Sequence, residues 1–276
     1  MVPAFNAERT LAETLRSAIS IGFTEIIVVD DGSSDNTSLV ASEFPVKIVK
    51  QKNSGAYAAR MYGLENVRTK YVIFLDSDDT LLASVFEIIE FFNENPQYVG
   101  ITGGYVAAGA RRSRSILPKG TAIEQGQLLA KGSGLFPLSA SIWKSEIIYK
   151  TMALPITPLH ERFADDYELV IRATYFGSVG MFPKVITKYS IDGGKSTKNL
   201  EGASKSSSYI SRYYRNSLTV SGADHNARSD KYNIHFRKLQ LSFYNESFLD
   251  CLKICFVSPL FTARIVLSKV RTKLYG

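Results

Sequence analysis

Three aspartates directly after a predicted strand occupy a position where a protein can hold a cation. Residues 71–75 are apolar, β-branched or aromatic, and Asp76, Asp78 and Asp79 follow them. A continuous apolar run of this length is typical of a strand that is covered on both faces. In open α/β sheets, ligands bind at the carboxyl ends of such strands.

Neighbouring carboxylates repel one another, so we expect a positive charge beside these aspartates. Mg²⁺ or Mn²⁺ holding a diphosphate is the sharpest candidate, because these ions take one or two carboxylates and leave their other positions to phosphate and water oxygens. The alternative is a solvated acidic turn that caps the next helix.

A second acidic cluster, Asp30, Asp31 and Asp35, follows the short apolar run at residues 25–29. Strand and helix patterns alternate along this part of the chain, which predicts βαβ units and an α/β fold with a mostly parallel sheet and helices on both faces. Both acidic clusters then lie on one rim. We predict helices at 7–21, 36–43, 56–66, 81–93, 121–131 and 167–176, strands at 46–49, 98–107, 138–143, 179–182 and 185–189, and a basic loop at 111–118.

Composition restricts the partner and the compartment. The net charge of +7 indicates an anionic partner: a nucleotide, a membrane surface or a nucleic acid. The two cysteines, Cys251 and Cys255, exclude a disulfide framework and favour a reducing compartment. No apolar run reaches the length of a membrane span and no leader pattern opens the sequence, so we expect a cytoplasmic protein.

Five segments, in this order, carry a family resemblance. They are Val-Pro-Ala-Phe-Asn-Ala-Glu at 2–8, Val-Val-Asp-Asp-Gly-Ser-Ser-Asp at 28–35, Asn-Ser-Gly at 53–55 with Ala-Ala-Arg at 58–60, Phe-Leu-Asp-Ser-Asp-Asp at 74–79, and Asp-Asp-Tyr-Glu-Leu at 165–169 with Arg172. The chain resembles the family 2 inverting glycosyltransferases of the Rossmann-like GT-A fold that build bacterial surface polysaccharides. The resemblance covers about residues 1–189 and none of the helical region beyond.

The resemblance implies a UDP-sugar donor and no nucleic-acid partner. Asp31 is expected to accept a hydrogen bond from uracil, with Pro3 and Phe5 lining the base. This charge-assisted contact selects a pyrimidine dione over adenine. Asp76, near the ribose, and Ser77 are expected to contact the nucleotide-sugar.

The resemblance also implies a metal ligand and a general base. Asp78 matches the family's metal ligand, and the metal neutralises charge that grows on the departing diphosphate. Asp166 matches the catalytic carboxylate, which takes the proton of the attacking hydroxyl on a glycan or lipid-linked sugar acceptor. Attack from the face opposite the diphosphate inverts the anomeric centre. The residue before the base is often Glu in the family, whereas Asp165 stands here. The alternative is that Asp165 and Asp166 only cap the following helix.

We predict a GT-A catalytic domain at residues 1–190, and a lid loop with a helical C-terminal extension at 191–276. Family members usually have several strand residues before the Pro-Ala-Phe-Asn segment, so we expect the first strand to be largely truncated. Donor choice is expected to depend on side chains around Ser139, Ala140 and the loop near His160.

Two other functions compete with the transferase. A nucleotidyltransferase also needs a nucleotide fold and acidic metal ligands, but it leaves the segment at 166–169 without a role. A degenerate, inactive transferase could serve as a scaffold, although Asp31, Asp78 and Asp166 are all present.

The last residues of the sequence have a helical pattern with an apolar stripe. From residue 251 to residue 276 there are five basic residues and no acidic one. An apolar stripe at 258–276 flanked by cations predicts docking on an anionic membrane, on the inner face of the cell membrane. The alternative is packing against the protein's own helices or a second subunit.

Overall fold

The computed structural model describes residues 1–109, 113–133, 136–161, 163–191 and 199–218. Residues 192–198, which include most of the predicted lid loop, and the predicted membrane helix at 258–276 lie outside these residues. The strands are β1 Val2–Ala4, β2 Ile27–Asp30, β3 Lys47–Lys50, β4 Tyr71–Ile73, β5 Thr80–Leu81, β6 Gly100–Ala108, β7 Ser113–Ile116, β8 Ala122–Ile123, β9 Ser141–Lys144 and β10 Val179–Ser190. The helices are α1 Leu11–Ser20, α2 Thr37–Ser42, α3 Ala56–Leu64, α4 Val85–Glu94, α5 Gln125–Lys131, α6 Ser145–Met152, α7 Asp165–Ala173 and α8 Leu200–Leu218.

The first three strands form a parallel sheet in the order β1-β2-β3. A second sheet has the order β4-β9-β6-β10-β5, with β7 on β6 and β8 on β10. Backbone hydrogen bonds from Met1 N to Ile73 O (2.9 Å) and from Leu75 N to Met1 O (3.0 Å) connect β4 to the start of β1. The predicted α/β fold is confirmed.

The prediction of a mostly parallel sheet is wrong for the second sheet, where β6 and β10 pair in parallel and the other pairs described are antiparallel. Parallel neighbours need a long crossover, and the few residues between β6 and β7 allow only an antiparallel return. The predicted basic loop at 111–118 therefore contains a strand, β7. The two strands predicted at 179–189 are one irregular strand, β10, whose register shifts around Pro183, a residue without an N–H to donate.

Helices cover both faces of the sheets, as predicted. Successive strand residues point to opposite faces. Val28 therefore packs in an apolar cluster with side chains of α1 and α4, and Val29 packs in a cluster with side chains of α3, α7 and α8. Within the residues described, no helix combines the length and the apolar character that a membrane crossing requires.

Helix α1 begins later than predicted because the acidic loop after β2 binds the residues before it. Asn6 does not cap the helix: it adopts a left-handed backbone (φ 51°), and its side-chain oxygen accepts a hydrogen bond from Ser34 N at 2.8 Å. Ala7 N donates to Thr37 Oγ1 at 2.7 Å. The chain leaving β1 is thus fixed to the chain leaving β2.

Candidate active site

The predicted nucleotide residues meet where β1 and β2 end. Pro3 is buried and pairs in register with Val29, and Phe5 follows at the same edge, half-buried. Asp31 N donates to Ala4 O at 2.8 Å, so the second aspartate of the first cluster lies beside the end of β1. The structure therefore brings Pro3, Phe5 and Asp31 together.

The Asp31 carboxylate holds the turn that begins α3. One oxygen accepts hydrogen bonds from Gln51 Nε2 and Ser54 N, both at 2.7 Å, and the other accepts one from Gly55 N at 2.9 Å. A carboxylate offers about four acceptor positions, so one position remains for a further donor. A contact from Asp31 to uracil stays a prediction.

The loop after β4 carries the second cluster. Asp76 N donates to Ser139 Oγ at 3.1 Å, so the fully buried Ser139, which was expected to influence donor choice, supports the loop. Asp79 is also fully buried and accepts a hydrogen bond from Ser190 N at 2.8 Å. Burial, followed by the charge of Asp76, raises the pKa of Asp79 to about 8. The Asp79 side chain is thus held against the end of β10.

Asp78, the predicted cation ligand, is partly buried beside Asp76. Its burial and the neighbouring charge of Asp76 raise its pKa to about 6, and it forms no ion pair with any residue described. A cation bound to Asp78 would favour its ionised form and so lower its pKa. The part of the chain that the structure describes contains no group of three or more His, Cys, Asp or Glu side chains that could hold a metal. The carboxylate oxygens of Asp78 are ligands of the kind that Mg²⁺ and Mn²⁺ prefer.

The predicted base lies in the first turn of α7. Asp166 accepts a hydrogen bond from Tyr167 N at 2.8 Å. Burial, followed by the charge of Asp165, raises the pKa of Asp166 to about 6. Ala164, just before the helix, has a left-handed backbone (φ 62°), which is unusual for a residue other than glycine. A strained residue next to a carboxylate with a raised pKa is a combination found at active sites.

Arg60, for which no role was predicted, connects the aspartate cluster after β4 to the first turn of α7. Its Nη2 lies 2.8 Å from Asp76 Oδ1, and its Nη1 lies 2.9 Å from Asp165 Oδ2. The Arg60 side chain is 5% exposed. The signal available in the sequence was an arginine on α3 between two apolar residues, Ala59 and Met61, since a buried arginine needs carboxylate partners.

Tyr189, at the end of β10, borders the same space. Burial, followed by the charges of Asp76, Asp79 and Asp166, raises its pKa above its usual value. The charges of the aspartates after β4 and of Asp166 on α7 therefore act together on Tyr189 at the end of β10.

His160 lies exposed beside this site. Its ring meets the ring of Tyr57 on α3 edge-on, with 5.0 Å between the centroids. Its backbone is left-handed (φ 51°), and the amide of the preceding Leu159 donates to the buried Glu168 at 2.7 Å. The loop before the base is thus held by α3 and α7.

Residues 1–149, more than half of the chain, match the sequence model of Glycosyl transferase family 2. The chain belongs to this family. An uncharacterized glycosyltransferase of Rickettsia conorii is 24% identical to this glycosyltransferase over 293 residues, which cover 94% of the chain and 46% of the relative. The minor teichoic acid biosynthesis protein GgaA of Bacillus subtilis is 36% identical over 114 residues, which cover 37% of the chain and 26% of GgaA. The glycosyltransferase thus spans about half the length of the Rickettsia relative and about a quarter of GgaA.

Solved structures share the fold of this glycosyltransferase. Residues 1–349 of Staphylococcus aureus TarS in complex with UDP-GlcNAc superpose with a TM-score of 0.60 at 17% identity, covering 88% of the chain and 71% of TarS. The mannosyltransferase PcManGT from Pyrobaculum calidifontis, in complex with GDP-Man and Mn²⁺, superposes with a TM-score of 0.57 at 13% identity, covering 100% and 79%. The GT-A fold is confirmed.

Proposed function

We propose that this family 2 glycosyltransferase moves a sugar from a UDP-sugar to a hydroxyl group of a glycan or lipid-linked acceptor, with inversion and with Mn²⁺ or Mg²⁺ as cofactor. The carrying observation is the double ion pair of Arg60, which brings the aspartate cluster after β4 next to the first turn of α7. Such a site has carboxylates for the diphosphate side and a separate carboxylate for the acceptor side.

The nucleotide is proposed to lie at the ends of β1 and β2. Pro3 and Phe5 line the base, and the open acceptor position of Asp31 takes the imide N–H of uracil. Guanine also carries a ring N–H, next to one carbonyl, from which a carboxylate can accept a hydrogen bond, and the PcManGT structure is a complex with GDP-Man. A comparison of UDP with GDP is therefore needed in any binding experiment. The complexes of TarS with UDP-GlcNAc and with UDP support UDP.

Asp78 would hold the metal, while Asp76 and Ser77 contact the nucleotide-sugar. When bound, the metal neutralises the charge that grows on the diphosphate as it leaves. No second acid is then required for the leaving group, in contrast to glycoside hydrolases.

Asp166 is the general base. As the acceptor oxygen forms its bond to the anomeric carbon, its proton passes to the Asp166 carboxylate and the bond from that carbon to the diphosphate oxygen breaks. A pKa of about 6 keeps the group mostly ionised at pH 7 and makes it a stronger base than an ordinary aspartate. Attack on the face opposite the diphosphate inverts the configuration.

The acceptor class and the location are inferred from the relatives and the charge. The similarity to GgaA supports a role in surface polysaccharide or teichoic acid assembly. A lipid-linked acceptor and a net charge of +7 support a cytoplasmic protein at the inner face of the membrane.

A donor screen tests the proposed function. The purified protein is incubated with UDP-sugars and, as controls, with GDP-sugars, and release of the nucleotide diphosphate is measured with Mn²⁺ and with EDTA. We expect UDP release from at least one UDP-sugar in Mn²⁺ alone. Release of GDP but not UDP would contradict uracil as the nucleobase of the donor. No release from any donor would favour the inactive scaffold.

Membrane docking is tested separately by co-sedimentation with vesicles. We expect the full chain to bind vesicles containing anionic lipid, less strongly at high salt, and a variant that lacks residues 258–276 to stay in solution while it still releases UDP. A full chain that does not sediment with vesicles, together with a shortened chain that unfolds or changes its oligomeric state, would make the segment structural.

A further inference from the structure

We propose that Arg60 is a positioning residue of the transfer reaction, whose guanidinium fixes the loop that carries Asp78 relative to the helix that carries Asp166. The inference rests on the proposed function. It adds a residue that acts through Asp76, itself proposed to contact the nucleotide-sugar, and through Asp165, which directly precedes the proposed base.

The geometry of the guanidinium suits this task. Its two terminal nitrogens bind different carboxylates: Asp76, 16 residues away in sequence, and Asp165, 105 residues away. A guanidinium is planar and presents its donors in a fixed fork, so the two carboxylates cannot move independently while both ion pairs persist. Each of the two carboxylates is close in sequence to a residue with a proposed chemical role: Asp76 precedes Asp78 by two residues, and Asp165 directly precedes Asp166.

Helix α3 itself is anchored at the nucleotide end of the site. The Asp31 carboxylate accepts hydrogen bonds from Ser54 N and Gly55 N at the start of α3. One helical turn before Arg60, Tyr57 packs against His160 in the loop before the base. Helix α3 therefore contacts the proposed nucleobase site at Asp31, the loop after β4 and the segment that leads into α7.

Arg60 affects the proposed general base, Asp166, through its charge as well as through its shape. Among the residues that the structure describes, the charged and titratable groups that face Asp166 are Asp165 on the same helix, Arg60 on α3, Asp76 after β4 and Tyr189 on β10. Burial, Asp165 and Asp76 raise the pKa of Asp166, and Arg60 lowers it. Among these groups Arg60 supplies the positive charge that favours the ionised base.

The test compares Arg60→Met, Arg60→Lys and Asp165→Asn, with Arg68→Met as control. Arg68 is exposed on the segment after α3 and binds only backbone oxygens of Glu65 and Val67 among its described contacts. For each variant, kcat for Mn²⁺-dependent UDP release is measured across pH with the donor found in the screen, and Tm is measured in parallel.

The two charge-removing variants should move the acid limb of the pH profile in opposite directions. Loss of the cation in Arg60→Met should move the limb to higher pH, on the order of one pH unit, and loss of the anion in Asp165→Asn should move it to lower pH. Arg60→Lys keeps the charge but cannot hold both carboxylates. Its limb should stay near the wild-type position while kcat falls about tenfold. Arg68→Met should match the wild type in both readouts.

A purely structural ion pair would lower Tm without moving the limb. The inference is overturned if the limbs of Arg60→Met and Asp165→Asn coincide with the wild type or move together. If Arg60→Met does not fold, the other two variants decide: wild-type kcat in Arg60→Lys with an unmoved limb in Asp165→Asn overturns the inference. If the wild type releases UDP from no donor, the proposed function fails and this inference fails with it.

Discussion

Replacing Asp166 with asparagine should lower kcat at least about a hundredfold and leave the affinity for the UDP-sugar nearly unchanged. Asparagine has the shape of aspartate but cannot take the proton of the attacking hydroxyl, and a general base contributes about 10²–10⁴ in rate. The donor should still bind because its diphosphate meets the loop after β4, not the Asp166 side chain. Steady-state kinetics together with calorimetry of donor binding would separate the two effects.

The pH profile gives the same prediction a second readout. Because Asp166 acts in its ionised form and its pKa is raised to about 6, the wild-type kcat should fall about tenfold per pH unit below pH 6 and be nearly constant just above pH 7. The Asp166→Asn variant should lose this acid limb.

Asp165→Asn is the matched control, since it changes a carboxylate one position away. Asp165 is bound to Arg60, so its loss should be mild in kcat and visible mainly as the shift of the acid limb described above. If Asp165→Asn is the damaging change and Asp166→Asn the mild one, the two neighbours have exchanged roles and the base is Asp165.

The elements around the first acidic cluster could be predicted from the sequence because their signals are local. Apolar runs and helical periods mark β2, β3, α2 and α3 within a few residues, and each carries turn residues at its ends. The late start of α1 was missed because its cause is distant in sequence. Thr37 and Ser34, about 30 residues further on, take up the residues that would otherwise have extended the helix.

Arg60 stands in a segment that carries the family resemblance, but its partners were missed for the same physical reason. Its partners lie in segments that only the folded chain brings together, and no local pattern specifies such pairs. The need for a positive charge beside the acids was nevertheless predictable. The structure meets part of that need with a guanidinium, at Asp76 and Asp165, and describes no ion pair at Asp78.

The predicted domain boundary at residue 190 was placed where the resemblance to the family ends. Tyr214 on α8 donates to Glu168 on α7 at 2.7 Å and accepts from Arg172 at 2.9 Å, and all three side chains are buried. Ile210 and Tyr214 also lie in the same apolar cluster as Val29 and Leu169. We therefore propose that α8 belongs to the catalytic unit and supports the helix that carries the base.

The metal site leads to the second large effect, at Asp78. We expect the wild type to bind UDP at least about tenfold more tightly with Mn²⁺ than with EDTA, and Asp78→Ala to bind it equally weakly in both. Three aspartates within four residues repel a diphosphate unless a cation lies between them. Burial and the charge of Asp76 raise the pKa of Asp78 to about 6, and a bound cation would favour its ionised form. Calorimetry of UDP binding measures this difference directly.

Two controls show whether the loss in Asp78→Ala is specific to the metal. Glu146→Ala removes an exposed carboxylate on α6 and should keep the full difference between Mn²⁺ and EDTA. Asp166→Asn should keep it too, because the base takes no part in holding the diphosphate.

Calcium in place of Mn²⁺ should restore less of the affinity for UDP, since a site that shares its ion with phosphate oxygens favours the smaller octahedral cation. Equal UDP affinity of the wild type with and without Mn²⁺ would remove the metal from the proposed mechanism, and a retained difference in Asp78→Ala would move the ligand to another residue of the loop.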